Sequence, residues 1–64
     1  MKEELEKLGF EYIELGWYSL YINDNIEIQI LLGGNIYLVG DREQEIFLFH
    51  YNYEKLKQLI QILS

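Results

Sequence analysis

The 64-residue chain contains no cysteine and no proline, and alanine and threonine are absent as well. Without cysteine it has no disulfide staples and no thiolate metal sites. Its single histidine, His50, excludes most imidazole-based centres too. No apolar run approaches the roughly 20 residues of a membrane-spanning helix, because polar side chains interrupt every stretch. The opening Met1-Lys2-Glu3-Glu4 lacks the charged-then-apolar plan of a signal peptide, so a cytoplasmic protein is expected. Cations are scarce: five basic side chains face eleven acidic ones, a formal net charge of −6. That sign opposes binding to a phosphate backbone, which lysine and arginine drive through counterion release. A basic protein surface fits the charge better. The expected partner is thus a protein, a second copy of the chain, or both, with no direct nucleic acid and no membrane.

What is present is apolar and aromatic: 50% of the residues are hydrophobic and 16% are Phe, Trp or Tyr. The length suits a single domain over 1–64. Such a chain buries only about 60% of the surface its unfolded form exposes, so oligomerisation is the natural supplement to its core.

Periodicity divides the chain into three parts. Lys2 to Leu8 reads as a short helix, with Met1, Leu5 and Leu8 on one side, Glu3 and Glu4 at its start and Lys7 in its last turn. Gly9 suits a left-handed cap with Phe10 as its hydrophobic contact. From there the period becomes two: Trp17 to Ile22, Ile26 to Leu32, Asn35 to Val39 and Glu45 to Tyr51 read as strands, and Phe10 to Leu15 as a further short one. Asn23-Asp24-Asn25, Gly33-Gly34 and the run from Gly40 to Gln44 are the turns, with both glycines of the second suited to positive φ. Tyr53 to Leu63, capped by Asn52, returns to helical spacing through Leu56, Leu59, Ile60 and Leu63. The expected fold class is α+β: an antiparallel meander of three to five strands between a short and a longer helix.

Strand alternation separates two sheet faces. Leu20, Ile22, Ile26, Ile28, Ile30, Leu32, Ile36, Leu38, Ile46 and Leu48 form an aliphatic set expected under the C-terminal helix. The other parity holds Trp17, Ser19, Tyr21, Glu27, Gln29, Leu31, Tyr37, Val39, Glu45, Phe47, Phe49 and Tyr51. That second set is too apolar for a face left in water, and Trp and Tyr are enriched at binding hot spots. Trp17, Tyr21, Tyr37, Phe47, Phe49 and Tyr51 are therefore the candidate partner-binding residues. Three occupants of the face compete: the N-terminal helix, a second copy in a homodimer, or another protein. A bulge near Gly16 or Leu31 would shift the parity of one strand.

Catalytic chemistry is sparse. His50 has only Glu54 nearby in sequence as an orienting partner, and neither Ser19 nor Ser64 sits in a strand–turn–helix elbow. The acidic runs Asp24/Glu27 and Asp41/Glu43/Glu45 lack the ligand spacing of a calcium loop, and Gly33-Gly34 lacks the Lys-Ser/Thr of a phosphate loop. The chain reads as a non-enzyme with no catalytic residues, no metal site and no cofactor.

The Leu8-Gly9-Phe10 helix end, the strand ending Phe49-His50-Tyr51 and the helix from Glu54 to Leu63 together resemble small proteins carried by Bacteroidetes and their phages. In these a Leu-Gly-Phe helix end opens a strand meander closed by a Leu-x-x-Leu helix. The resemblance implies an accessory protein of a phage or mobile element, such as an inhibitor of a host defence protein. It carries over no functional residues. The expected function is a small acidic protein-interaction module of that inhibitory kind. Alternatives are an oligomer that sequesters a small ligand or nucleotide between protomers, and an acidic antitoxin.

Overall fold

In a computed structural model, which describes residues 2–41 and 44–64, the chain forms α1 (Lys2–Leu8), β1 (Glu11–Ile13), β2 (Trp17–Asn23), β3 (Ile26–Leu31), β4 (Asn35–Val39), β5 (Glu45–His50) and α2 (Tyr53–Leu63). The five strands pair antiparallel in the order β1-β2-β3-β4-β5. This is the expected α+β meander, with β1 as its fifth strand. Met1, Arg42 and Glu43 lie outside the described residues, and with them Met1's packing on Leu5 and the middle of the last turn.

Local chemistry sets the joints. At the end of α1 the Gly9 N–H donates to the Glu6 carbonyl (3.1 Å) and the Phe10 N–H to the Leu5 carbonyl (3.0 Å), with Gly9 at φ +97°. These are the two bonds of a Schellman cap, and they bring Phe10 back beside Leu5 in the core. Two hairpins share one device. Gly16 and Gly34, both at positive φ, close three-residue loops by donating to the Ile13 and Leu31 carbonyls, each at 2.8 Å. Only Gly34 of the glycine pair takes positive φ, because the loop is a three-residue turn ending in a left-handed residue rather than a two-residue turn. Gly16 is thus a turn closure and not a bulge. At α2 the Asn52 Oδ1 accepts from the Lys55 N–H at 3.0 Å, as an N-cap should.

Both helices lie on one side of the sheet. Leu5 of α1 and Leu56 of α2 are fully buried in a single cluster with Tyr18, Ile28, Ile30 and Ile36. Those four strand residues share a face, since Tyr18 pairs with Ile30 and Ile30 with Ile36. Leu8, Leu59, Ile60 and Leu63 pack against the same cluster. The shortest principal extent, 19 Å, has room for one sheet and one helical layer and for no third. The possibility that α1 covers the aromatic face is therefore overturned: its two turns dock where the aliphatic surface already is. Two residues of the expected aliphatic core also lie outside. Leu32 is in the hairpin loop and 59% exposed, and Ile46, on the edge strand, is 55% exposed.

Register breaks decide the rest. Tyr37 pairs with Phe47 but Ile36 pairs with Phe49, so β5 carries one extra residue, Leu48, at a bulge. The parity of β5 flips there. Phe49 now shares a face with Ile36, and both Phe49 and Tyr51 pack on the helix-side core. This corrects their expected membership of the aromatic face. A second irregularity lies between Tyr21 and Asn23, at the end of β2. Neither break is at Gly16 or Leu31.

Candidate interaction face

The face opposite the helices is built from three cross-strand rows. Ile13, Trp17 and Leu31 form the first, with the pair Asn35 and His50 at the same end of the sheet; Glu11, Ser19, Gln29, Tyr37 and Phe47 form the second; Tyr21, Glu27, Val39 and Glu45 the third. No element among the described residues lies over them. Four of the six candidate residues, Trp17, Tyr21, Tyr37 and Phe47, come together here, and Phe49 and Tyr51 do not.

Three regions of different character result. Ile13, Trp17 and Leu31 make an apolar corner, where each ring or branched chain shades its neighbours and remains half-buried. Tyr37 and Phe47, directly opposite one another, meet edge to face at 5.6 Å between ring centres and 67° between planes. Such a pair adds about 0.5–1.5 kcal/mol beyond its buried area. Tyr21 and Phe47 are the most outward of the aromatic residues here, 69% and 55% exposed.

The third region is polar and central. Glu27, on the middle strand, accepts from Ser19 Oγ at 2.5 Å through Oε2 and from Gln29 Nε2 at 3.2 Å through Oε1. Ser19 and Gln29 face each other directly, and Glu27 is one step along the same face, so a diagonal contact closes the network. Ser19 is buried beneath these neighbours. All three share the odd strand parity that the sequence assigns to this face. Their pairing was not legible, because the irregularity between Tyr21 and Asn23 shifts the register that the Asn23–Ile26 turn alone would set, and it is this shift that brings Ser19 opposite Gln29.

Two shallow clefts adjoin Tyr21. One, about 200 Å³, includes Tyr21, Asp24, Glu27, Val39 and Asp41; the other, about 260 Å³, includes Glu11, Ile13, Ser19 and Tyr21. Both fall below the roughly 300–1,000 Å³ of sites that enclose a small molecule. Among the described residues no group of three or more His, Asp or Glu side chains is placed to hold a metal ion. No helix among them is long and apolar enough to cross a membrane.

Trp17 Nε1, on this face, is buried among the side chains and has no hydrogen-bond partner among the described residues. Leaving such a donor unsatisfied costs about 1–3 kcal/mol. The indole is kept there by its apolar neighbours despite its N–H.

The remaining chemistry-bearing side chains serve the fold. His50 Nε2 lies 2.9 Å from the Gly33 carbonyl oxygen, and its ring packs on Gly34. It braces the β3–β4 turn, and Glu54 is not its partner. On the helix side the Tyr51 hydroxyl donates to Glu4 Oε1 at 2.9 Å, tying α1 to the end of the sheet. Burial, then the hydrogen bond to Glu4 and its negative charge, push the Tyr51 phenol up to about 12. Comparison of the chain with protein-family models, with curated proteins and with solved structures finds no match.

Proposed function

We propose that the protein is a non-catalytic protein-interaction module that receives another protein on the uncovered face of its sheet. The observation that carries this reading is the placement of both helices on the opposite side, which leaves Trp17, Tyr21, Tyr37 and Phe47 on a surface that nothing among the described residues covers. A face left only to water would be mostly polar. Tyr and Trp also give large contact area for little lost side-chain freedom, which is why they dominate binding hot spots. The resemblance to small phage-borne proteins supplies the finer form of the proposal: an inhibitor that occupies a site on a host protein. Sequestration of a small ligand is less well supported, because the clefts are open and small.

The test compares three immobilised proteins in a lysate of cells that carry the gene: wild type, a Tyr21→Ser/Phe47→Ser double variant, and Ile62→Ser. Ile62 is exposed on α2, away from the face, and serves as the control. The reading expects a bound protein that wild type and control retain and the double variant loses, with circular dichroism unchanged in all three. Equal retention by all three, including none, overturns it.

A further inference from the structure

The net charge of this molecule is not spread over its surface. Residues 10–52, which build the sheet and its turns, carry seven carboxylates and one arginine, a net of −6. The two helical ends, 1–9 and 53–64, carry four acidic and four basic side chains and are neutral together. All four lysines (Lys2, Lys7, Lys55 and Lys57) are on the helices, which lie behind the sheet. Among the described residues the uncovered face holds Glu11, Glu27 and Glu45 and no lysine or arginine.

We propose that this face docks a cationic segment of another protein, with the Glu27 carboxylate as its central anchor and the Tyr21 ring as the adjoining stacking surface. The proposal rests on the reading of the face as an interaction surface and names the chemistry of the partner. Four observations support that choice over the other occupants.

Glu27 is fixed in place before any partner arrives, because Ser19 and Gln29 each donate to one of its oxygens. A carboxylate offers about four acceptor positions, so two remain for incoming N–H donors. Among the described residues no lysine or arginine stands within ion-pair distance of it. Prior orientation lowers the entropic cost of a charge-assisted bond.

Its neighbours complete a cation-binding environment. Tyr21 and Val39 flank Glu27 on the adjoining strands. The Tyr21 ring stands between the two clefts, one bearing Asp24, Glu27 and Asp41 and the other Glu11. Guanidinium groups lie well over aromatic rings while bonding carboxylates at their edge. A second copy of the chain offers the same acidic face and the wrong sign, and nucleic acid is repelled for the same reason. A neutral partner would leave Glu27 dehydrated with no compensating charge.

The experiment uses the full chain, isotope-labelled, titrated with a short peptide alternating arginine and serine, and with the same peptide carrying glutamate in place of arginine. Backbone amide shifts should concentrate on β2, β3 and β4 around Tyr21, Glu27 and Val39, and the glutamate peptide should cause none. Glu27→Gln should weaken the arginine peptide about tenfold, the loss expected for a charge-assisted bond. Glu54→Gln removes the same unit of charge from α2 and should change the affinity by less than about twofold. Equal losses in the two variants would reduce the effect to net charge and overturn the proposal. Shifts confined to the helices, absence of binding at millimolar peptide, or a dimer formed through this face would overturn it also. If the peptide fails while the Tyr21/Phe47 double variant still loses a captured protein, the interaction surface stands and its cationic partner falls. If that variant loses nothing, both fall.

Discussion

At the scale of single residues, Gly34 shows how a turn, a strand and a histidine depend on one missing side chain. It sits at φ +96°, and a Cβ there would stand 2.9 Å from His50 Cε1 and 3.1 Å from Nε2. Gly33, one residue earlier, has an ordinary φ and open space around it. Gly34→Ala should therefore cost about 1–3 kcal/mol, combining left-handed strain with the clash, while Gly33→Ala should stay within about 1 kcal/mol of wild type. Adding His50→Ala to Gly34→Ala should relieve the clash and not the strain. Urea unfolding of the four proteins checks this, and equal effects at the two glycines would refute it. The sequence showed that a turn falls here; which glycine is indispensable depended on the loop length and on a histidine sixteen residues away.

Tyr51 gives a second prediction at the same scale. Its folded-state pKa of about 12 lies above the ordinary value of 10.0. A raised folded value favours the protonated form, so its contribution to stability is complete below pH 10 and is lost as pH climbs from about 10 to about 12. Tyr51→Phe should flatten the fall in stability across that window, measured as denaturation midpoint against pH. Parallel curves for variant and wild type would contradict it.

At the scale of elements, α1 is the weakest-held part. It has seven residues, too few to persist alone, and one fully buried anchor, Leu5. By contrast α2 is held by Leu56 with Leu59, Ile60 and Leu63 behind it. Leu5→Ala should cost about 2–5 kcal/mol. It should first free α1, so that amide hydrogens of Lys7 and Leu8 lose protection while those of β3 retain theirs. Uniform loss across the molecule would show instead that α1 and the sheet unfold as one unit. The helices and the four longer strands were legible in the sequence to within one residue at their ends, because amphipathic spacing, Gly9 and Asn52 agreed; β1 ends at Ile13, two residues before the expected Leu15, because Glu14, Leu15 and Gly16 form a turn. The bulge at Leu48 was not legible. Phe47-Leu48-Phe49 alternates as well with an extra residue as without one, and only pairing with Ile36 and Tyr37 reveals it. That one residue moved Phe49 and Tyr51 from the expected binding set into the core.

At the scale of the whole molecule, the charge is a layer. The sheet and its turns hold the full −6 and the helices none of it. Like charges gathered in one layer oppose folding, and salt weakens that opposition as the screening length falls from about 30 Å at 0.01 M to about 10 Å at 0.1 M. The urea midpoint should accordingly rise with sodium chloride over that range. A midpoint that falls would mean that attractive pairs, such as Glu54–Lys57 on α2, outweigh the repulsion.

Composition and periodicity alone determined the α+β order, three of the four strand connections and the acidic balance, since each follows from propensities that act over a few residues. They also separated an aliphatic from an aromatic strand parity. Which parity the N-terminal helix would cover was decided only in three dimensions. Seven residues ending in a Schellman cap can dock on either side, and Phe10 and Leu5 gain most where Ile28, Ile30 and Ile36 already exclude water. Tertiary structure also placed Ser19 of β2 on the carboxylate of Glu27, beside Gln29 of Glu27's own strand, through a register shift at the end of β2 that local propensities do not contain.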